Sequence, residues 1–388
     1  QRMEKKTKEL MESLGINISP KTKIKELSTA QQQMVAITRA LAFDAEIIIM
    51  DEPTSAITDR EVEQLFRIIR KLKKQNKAIV YISHKMDEIY TLTDRITVFR
   101  DGSLIGTVAT SEVTPEKLIN MMVGRELNDV YIKTSEKTVE YDENEILLKV
   151  DNLTRKNEFY NISFNVKRGE ILGFFGLMGA GRTEVMDTIF GLRKADKGTV
   201  ILKNKEMGSV KKAISNGMAY ITEDRKASGL NLIGSVKDNI SIAYMNLITK
   251  GKFLLDFKKE KKICDNLIEK IRIKCASHDT LAGNLSGGNQ QKIVIAKWFM
   301  GNPDLLIMDE PTRGIDIGAK AEIYKLMDML AKSGKSIIMI SSETPELLGM
   351  SDRVIVMHEG YQTGEFKCDE LDQDKLMAYA IGEGGKTH

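Results

Sequence analysis

Three short strings in this chain carry residue types that could handle phosphate and a metal ion. The first, GLMGAGRTE at residues 176–184, has the spacing G-x-x-x-x-G followed by a basic residue and a hydroxyl. A glycine-rich turn between a strand and a helix start aims unpaired backbone N–H groups and the helix dipole at an anion. Gly176, Gly179 and Gly181 would shape that turn, and Thr183 would offer its hydroxyl to Mg²⁺. Arg182 stands where such loops carry lysine. Its guanidinium keeps the charge but is a bulky planar fork, so phosphate binding should survive while alignment of the terminal phosphate suffers.

The second string occurs twice, as IIIMDE at 47–52 and LLIMDE at 305–310. Each apolar run reads as a buried parallel strand with acids at its end, where ligand chemistry gathers in open α/β sheets. Asp51 and Asp309 are then candidate metal ligands, while Glu52 and Glu310 are candidate bases able to orient an attacking water. The third string, LSGGNQQK at 285–292, puts Ser286, Gly287 and Gly288 at a helix start suited to a second phosphate contact. Its weaker echo, LSTAQ at 27–31, keeps Ser28 and Gln31 but replaces both glycines with Thr29 and Ala30, whose Cβ atoms would crowd a phosphate.

These echoes are parts of one long repeat. Asp51 pairs with Asp309, His84 with Ser342, Asp94 with Asp352 and Gly102 with Gly360, each 258 residues apart. A fixed offset maintained over such a span means duplication. Carried back by the same offset, the partner of Gly176 falls before Gln1, so the first copy is expected to be incomplete and to lack its phosphate loop. Boundaries follow from composition. Residues 1–125 form the rear part of a first domain, 126–145 a polar linker, and 146–388 a whole second domain. The runs KAIVYIS and KSIIMIS read as strands beside the acid-tipped ones, and the expected fold class is α/β throughout.

The strings together resemble the nucleotide-binding subunits of ABC transporters, and the resemblance covers nearly the whole chain. Within that family the fused, unequal pair is similar to the ATP-binding proteins of bacterial simple-sugar importers, on GRTE, TEDRK (222–226), LSGGNQQK, DEPTRGIDIGAK, ISSETPELLGMSDR and LSTAQQQMV. The run RIKCASHDTLAGN, with His278, inclines the likeness toward the galactose/methyl-galactoside branch over the ribose and xylose ones. The resemblance implies two tandem P-loop NTPase domains, each with a helical subdomain, and ATP and Mg²⁺ as ligands. It implies two ATP sites, each built from one copy's phosphate loop and the other copy's LSGGN-type turn. One site would combine Asp51, Glu52 and the switch histidine His84 with Ser286, Gly287 and Gly288, and would turn ATP over. The other would be degenerate: Arg182 replaces lysine, Glu223 a γ-phosphate-sensing glutamine and Ser342 the histidine, with LSTAQ across from them. Implied partners are a homodimeric membrane permease, met by the segment after Glu223, and a periplasmic or lipid-anchored sugar-binding protein. The protein would be peripheral on the cytoplasmic face of the membrane and would not touch the sugar.

Bulk properties bound the alternatives. With 388 residues, 42% apolar, 29% charged and a net charge of +3, the chain can bury large cores but offers no general basic surface for nucleic acid. Cys264, Cys275 and Cys368 lack metal-ligand spacing. Two other readings stand beside the importer: a duplicated ATPase acting on ribosomes or DNA, disfavoured by the short, acidic-leaning linker, and a non-catalytic remnant that binds a permease. KKEKK at 258–262 reads as a solvated helix face.

Overall fold

The computed structural model describes residues 2–16, 18–43, 45–54, 59–83, 85–100, 102–123, 142, 144–250 and 254–383. His84 and nearly all of the expected linker lie outside the described residues. The chain divides into two compact units, Gln1–Arg125 and Glu126–His388.

Unit 1 runs α1 (Arg2–Ser13), α2 (Thr29–Ala42), β1 (Ile47–Asp51), α3 (Asp59–Lys74), β2 (Ala78–Ile82), α4 (Met86–Leu92), β3 (Arg95–Arg100), β4 (Ser103–Ala109) and α5 (Pro115–Val123). The parallel pair β1–β2 aligns Asp51 with Ile82, and β3–β4 is an antiparallel hairpin. α3 places Leu65, Ile68, Ile69 and Leu72 along one stripe at helical spacing, and these pack with Met34, Ile37, Ile48 and Met50 into one core. The expectation that IIIM is buried on both faces fails here. Ile48 and Met50 are buried, but Ile47 and Ile49 are 65% and 68% exposed. Strand side chains alternate between faces, and among the described residues of unit 1 the apolar cluster that takes in β1 covers only one of them.

Unit 2 begins with β5 (Ile146–Arg155), β6 (Phe159–Lys167), β7 (Ile171–Phe175), α6 (Arg182–Phe190), β8 (Lys197–Leu202), β9 (Lys205–Glu206), α7 (Val210–Ser215) and β10 (Met218–Ile221). A π-helical turn, Arg225–Gly229, leads to α8 (Val236–Ser241), the small strands β11 (Thr249–Lys250) and β12 (Leu254–Leu255), and α9 (Phe257–Ile271). The rest is α10 (Gly287–Phe299), β13 (Leu305–Asp309), α11 (Ile317–Lys332), β14 (Ser336–Ile340), α12 (Thr344–Met350), β15 (Arg353–His358), β16 (Tyr361–Lys367) and α13 (Gln373–Ala380). The main sheet has the order β10-β13-β14-β7-β15-β16 and is parallel apart from the last pair; β6-β5-β8-β9 form a second, antiparallel sheet. Here β7, β13 and β14 are buried at every position, because one core joins both sheets to α6 through Phe164, Phe174, Val185, Ile189, Ile307 and Ile338. The carboxyl ends of β7, β14 and β13 therefore lie side by side, and the loops leaving them meet.

The helical part of unit 2 is α8, α9 and α10. Ser235 and Asp238 close a capping box on α8. KKEKK is not a uniformly solvated face: Glu260 is buried and accepts a hydrogen bond from Ser241 Oγ at 2.7 Å, while its lysine neighbours are exposed. The one acid in the run faces inward on the helix stripe and needs that partner.

Candidate active site

β7 delivers the chain into Gly176, and the turn that follows carries two residues in left-handed backbone, Gly179 at φ 83° and Gly181 at φ 92°. Gly181 is the N-cap of α6 and makes no side-chain cap, so the first N–H groups of that helix stay available to an anion. The turn is anchored from beneath, since Ala180 N–H donates to Leu177 O at 3.0 Å and Gly360 N–H donates to Ala180 O at 3.1 Å. Close approach explains Gly176: a methyl there would meet the Met357 carbonyl oxygen at 2.5 Å.

Thr183, one residue into α6, donates its hydroxyl to Asp309 Oδ2 at 2.8 Å. Two oxygens predicted to serve one metal ion thus already touch. This pair fits Mg²⁺, which takes one or two protein oxygens and fills its octahedron with water and substrate phosphate. Among the described residues no cluster of three or more His, Cys, Asp or Glu could form an all-protein metal cage. Burial pushes the Asp309 carboxyl up to about 6, against the Thr183 hydrogen bond and the Arg182 charge, and a dication beside it would restore its ionised form.

Glu310 follows at φ 48°, with its N–H donating to Ile340 O on β14 at 2.9 Å. That left-handed backbone is unusual for a residue other than glycine. Its side chain, 11% exposed, lies 4.0 Å from Arg182 Nη1 and accepts a hydrogen bond from Ser342 Oγ at 3.2 Å. Burial raises the Glu310 carboxyl to about 7, with Arg182 and Ser342 opposing. Arg182 also donates to the Ser341 carbonyl at 3.3 Å. In unit 2 the arginine of the phosphate loop therefore turns toward the strand-end acid and backbone.

Unit 1 repeats the acid geometry. Glu52 has φ 42° and its N–H donates to Ile82 O at 2.9 Å, the counterpart of the Glu310 bond to Ile340. Asp51 closes β1 as Asp309 closes β13. The two serine turns differ. Ser28 and Gln31 bond reciprocally, Ser28 N–H to Gln31 Oε1 at 3.0 Å and Gln31 N–H to Ser28 Oγ at 3.3 Å. The Ser286 hydroxyl instead accepts from the Asn289 side chain at 3.0 Å, caps no helix amide, and is exposed at the start of α10. No side chain therefore caps the N–H groups at that start.

Sequence reasoning missed two features of this site. Glu223, which stands in place of the expected γ-phosphate-sensing glutamine, is ion-paired with Arg313, so its charge carries a counter-ion. Arg225 spreads its guanidinium over two carbonyls, Arg313 O at 2.7 Å and Gly314 O at 2.9 Å. A methyl on Gly287 would meet Arg225 Nη2 at 2.7 Å, and one on Gly288 would meet Ala319 Cβ at 2.5 Å. The glycines of LSGGN thus also make room for this arginine and for α11. Only the compositional oddity of TEDRK, acids and bases packed into one turn, hinted at it.

The ABC transporter family profile matches residues 2–55 and 159–313. The chain belongs to the ABC transporter family. It is 50% identical over 381 residues to the putative ribose/galactose/methyl galactoside import ATP-binding protein of Geobacillus kaustophilus, covering 98% of this chain and 75% of the relative. Identity is 47% over 383 residues to the galactose/methyl galactoside import ATP-binding protein of Photobacterium profundum, covering 98% and 76%. It is 46% over 386 residues to the ribose import ATP-binding protein of Oceanobacillus iheyensis, covering 99% and 76%. Among solved structures, an ATP-binding cassette of an ABC transporter in its ADP conformation superposes with a TM-score of 0.52 at 21% identity, over 62% of this chain and all of that one, which shows the fold. The phosphate loop, the acid-tipped strands and the serine-glycine turn of this ABC protein all fall in or beside the matched segments.

Proposed function

We propose that this chain is the ATP-hydrolysing subunit of a monosaccharide importer, seated peripherally on the cytoplasmic face of the membrane against a homodimeric permease. A periplasmic or lipid-anchored sugar-binding protein would complete the importer. No described helix is long and apolar enough to cross a membrane. The observation that carries the reading is the 2.8 Å contact of Thr183 with Asp309 beneath a phosphate-shaped turn, in a chain whose relatives are named as sugar-import ATP-binding proteins. Those names span ribose, galactose and methyl galactoside; the likeness around His278 favours galactose.

In this reading the open N–H groups at the start of α6 hold the phosphates of one nucleotide, and Thr183 with Asp309 would hold Mg²⁺. When bound, Mg²⁺ neutralises charge on the β- and γ-phosphates. Arg182 paired with Glu310 keeps that acid from its usual task, so unit 2 retains nucleotide more than it splits it. Hydrolysis falls to unit 1, with Glu52 as its base and His84 as its switch residue. Glu52 orients a water and takes its proton as the water oxygen bonds to the γ-phosphorus and the bond to the bridging oxygen breaks.

Ile233, 86% exposed in the segment SGLNLIGSVKDNI after the TEDRK turn, supports the permease contact expected there. The test is ATP hydrolysis by the protein in membranes with and without permease and sugar-binding protein. Hydrolysis stimulated by galactose or ribose supports the motor, and its absence with nucleotide still bound would favour the non-catalytic remnant.

A further inference from the structure

At matching positions of the repeat, each unit buries a carboxylate that the steps above leave idle. Glu88 is 5% exposed and Glu346 is 1% exposed, and the two are 258 residues apart. In unit 2, Glu346 on α12 accepts hydrogen bonds from Thr312 Oγ1 at 2.7 and 2.8 Å, Ser341 Oγ at 2.8 Å, Tyr324 OH at 2.5 Å and Lys320 Nζ at 3.0 Å. In unit 1, Glu88 on α4 accepts from Thr54 Oγ1 at 2.6 Å, Tyr81 OH at 2.7 Å and Ser83 Oγ at 3.0 Å, and lies 3.2 Å from Lys85 Nζ.

What the copies share and what they do not is informative. Thr54 matches Thr312 and Ser83 matches Ser341 in the repeat, so the link from the DEPT threonine to the strand-end serine is kept. The tyrosine and lysine are not kept in place. They come from β2 and the residue after Ser83–His84 in unit 1, and both from α11 in unit 2. A buried carboxylate is expensive unless several donors surround it, and an apolar residue of similar size is often as stable. Each copy has instead assembled a full donor set by a different route around the same acid. Burial works against the charge of Glu346, but Lys320 and the hydroxyls of Tyr324 and Thr312 outweigh it and keep the carboxyl below its ordinary range.

The Ser341 backbone shows what the acid controls. Its hydroxyl is held by Glu346, its carbonyl accepts from Arg182, and the next residue, Ser342, donates to Glu310. We infer that Glu346 is a positioning residue, with Glu88 its counterpart in unit 1: Glu346 locks the strand-end serine to the DEPT threonine and thereby sets where the following residue, Ser342, meets the γ-phosphate. The inference rests on the proposed binding of nucleotide by the phosphate loop, and wild-type binding reports that reading separately.

The experiment compares Glu346→Gln and Thr312→Val with wild type, in the whole chain. An amide cannot accept from four donors, and the lost charge-assisted bonds should weaken ATP binding about tenfold with ADP affinity within about twofold. Thr312→Val, a milder change of nearly equal shape, should lower the ATP-to-ADP preference about threefold. In nucleotide-free protein, amide exchange across residues 341–343 should quicken in both variants while the β13–β14 ladder keeps its protection. A merely structural role would weaken ATP and ADP alike and loosen β13 with the switch. That pattern, or unchanged exchange at 341–343, overturns the inference even if wild type binds no nucleotide.

Discussion

Glu310 carries a carboxyl that folding drives toward its neutral form. Its ordinary value is 4.5 and burial raises it to about 7, so between those values the folded state holds a proton that the unfolded state has released. Stability from this group is therefore full below pH 4.5, declines as pH rises through that window, and stays reduced above pH 7. Glu310→Gln removes the penalty. The variant should be more stable than wild type at pH 8 by at most about 3 kcal/mol, a Tm gain of at most about 10 °C, with the loss of a partner for Arg182 trimming the gain. Thermal unfolding followed from pH 4.5 to 8 checks this: the two curves should converge at the acid end, and a constant gap would show that Glu310 is ionised in the fold. The strings single out Glu310, Asp309 and Thr183 as candidates, because strand-end acids and phosphate-loop hydroxyls have fixed local surroundings. They are silent on Glu346 and Arg225, whose roles depend on donors and carbonyls that only the fold brings near.

At the scale of elements, the phosphate turn is the place where β7, α6 and β15 must come close together. Gly176 is there for lack of space, with the Met357 carbonyl oxygen 2.5 Å and Ala180 Cβ 2.9 Å from where a methyl would sit. Gly179 is there for its backbone, at φ 83° with nothing within 4 Å of such a methyl. Gly176→Ala should cost about 3 kcal/mol and abolish phosphate binding, since backbone carbonyl and strand must both shift. Gly179→Ala should cost about 1 kcal/mol, the strain of left-handed backbone, with binding weakened but present. Chemical denaturation combined with titration of ATP separates the two, and equal costs would count against this division. The element types were readable in the strings: apolar quartets gave strands, and the glycine-rich turn gave the start of α6 at Arg182. What was not readable was coverage. IIIM and LLIM are alike as text, yet β13 is buried throughout and β1 alternates, because burial depends on which layers lie over a strand.

On the scale of the whole molecule the question is why two copies of one device should differ. Glu52 and Glu310 occupy the same backbone state, φ 42° and 48°, and each donates its N–H to the last residue of the neighbouring strand at 2.9 Å. Their backbones are thus equally prepared to present a base. In unit 2 the side chain faces Arg182 at 4.0 Å and takes a hydrogen bond from Ser342, the position that His84 holds in the sequence of the other copy. An acid engaged by an arginine and buried toward neutrality is a poor acceptor for a water proton near pH 7. Turnover should accordingly follow unit 1. In the protein assembled with its permease, Glu52→Gln should lower ATP hydrolysis by about a hundredfold or more, the usual worth of a positioned base, while Glu310→Gln leaves it within about threefold. Nucleotide retention after washing should survive both changes, because neither touches the amides at the start of α6. Equal losses of hydrolysis in the two variants would mean that the arginine in the phosphate loop does not disable its unit, and the asymmetry assigned to the pair would have to be abandoned.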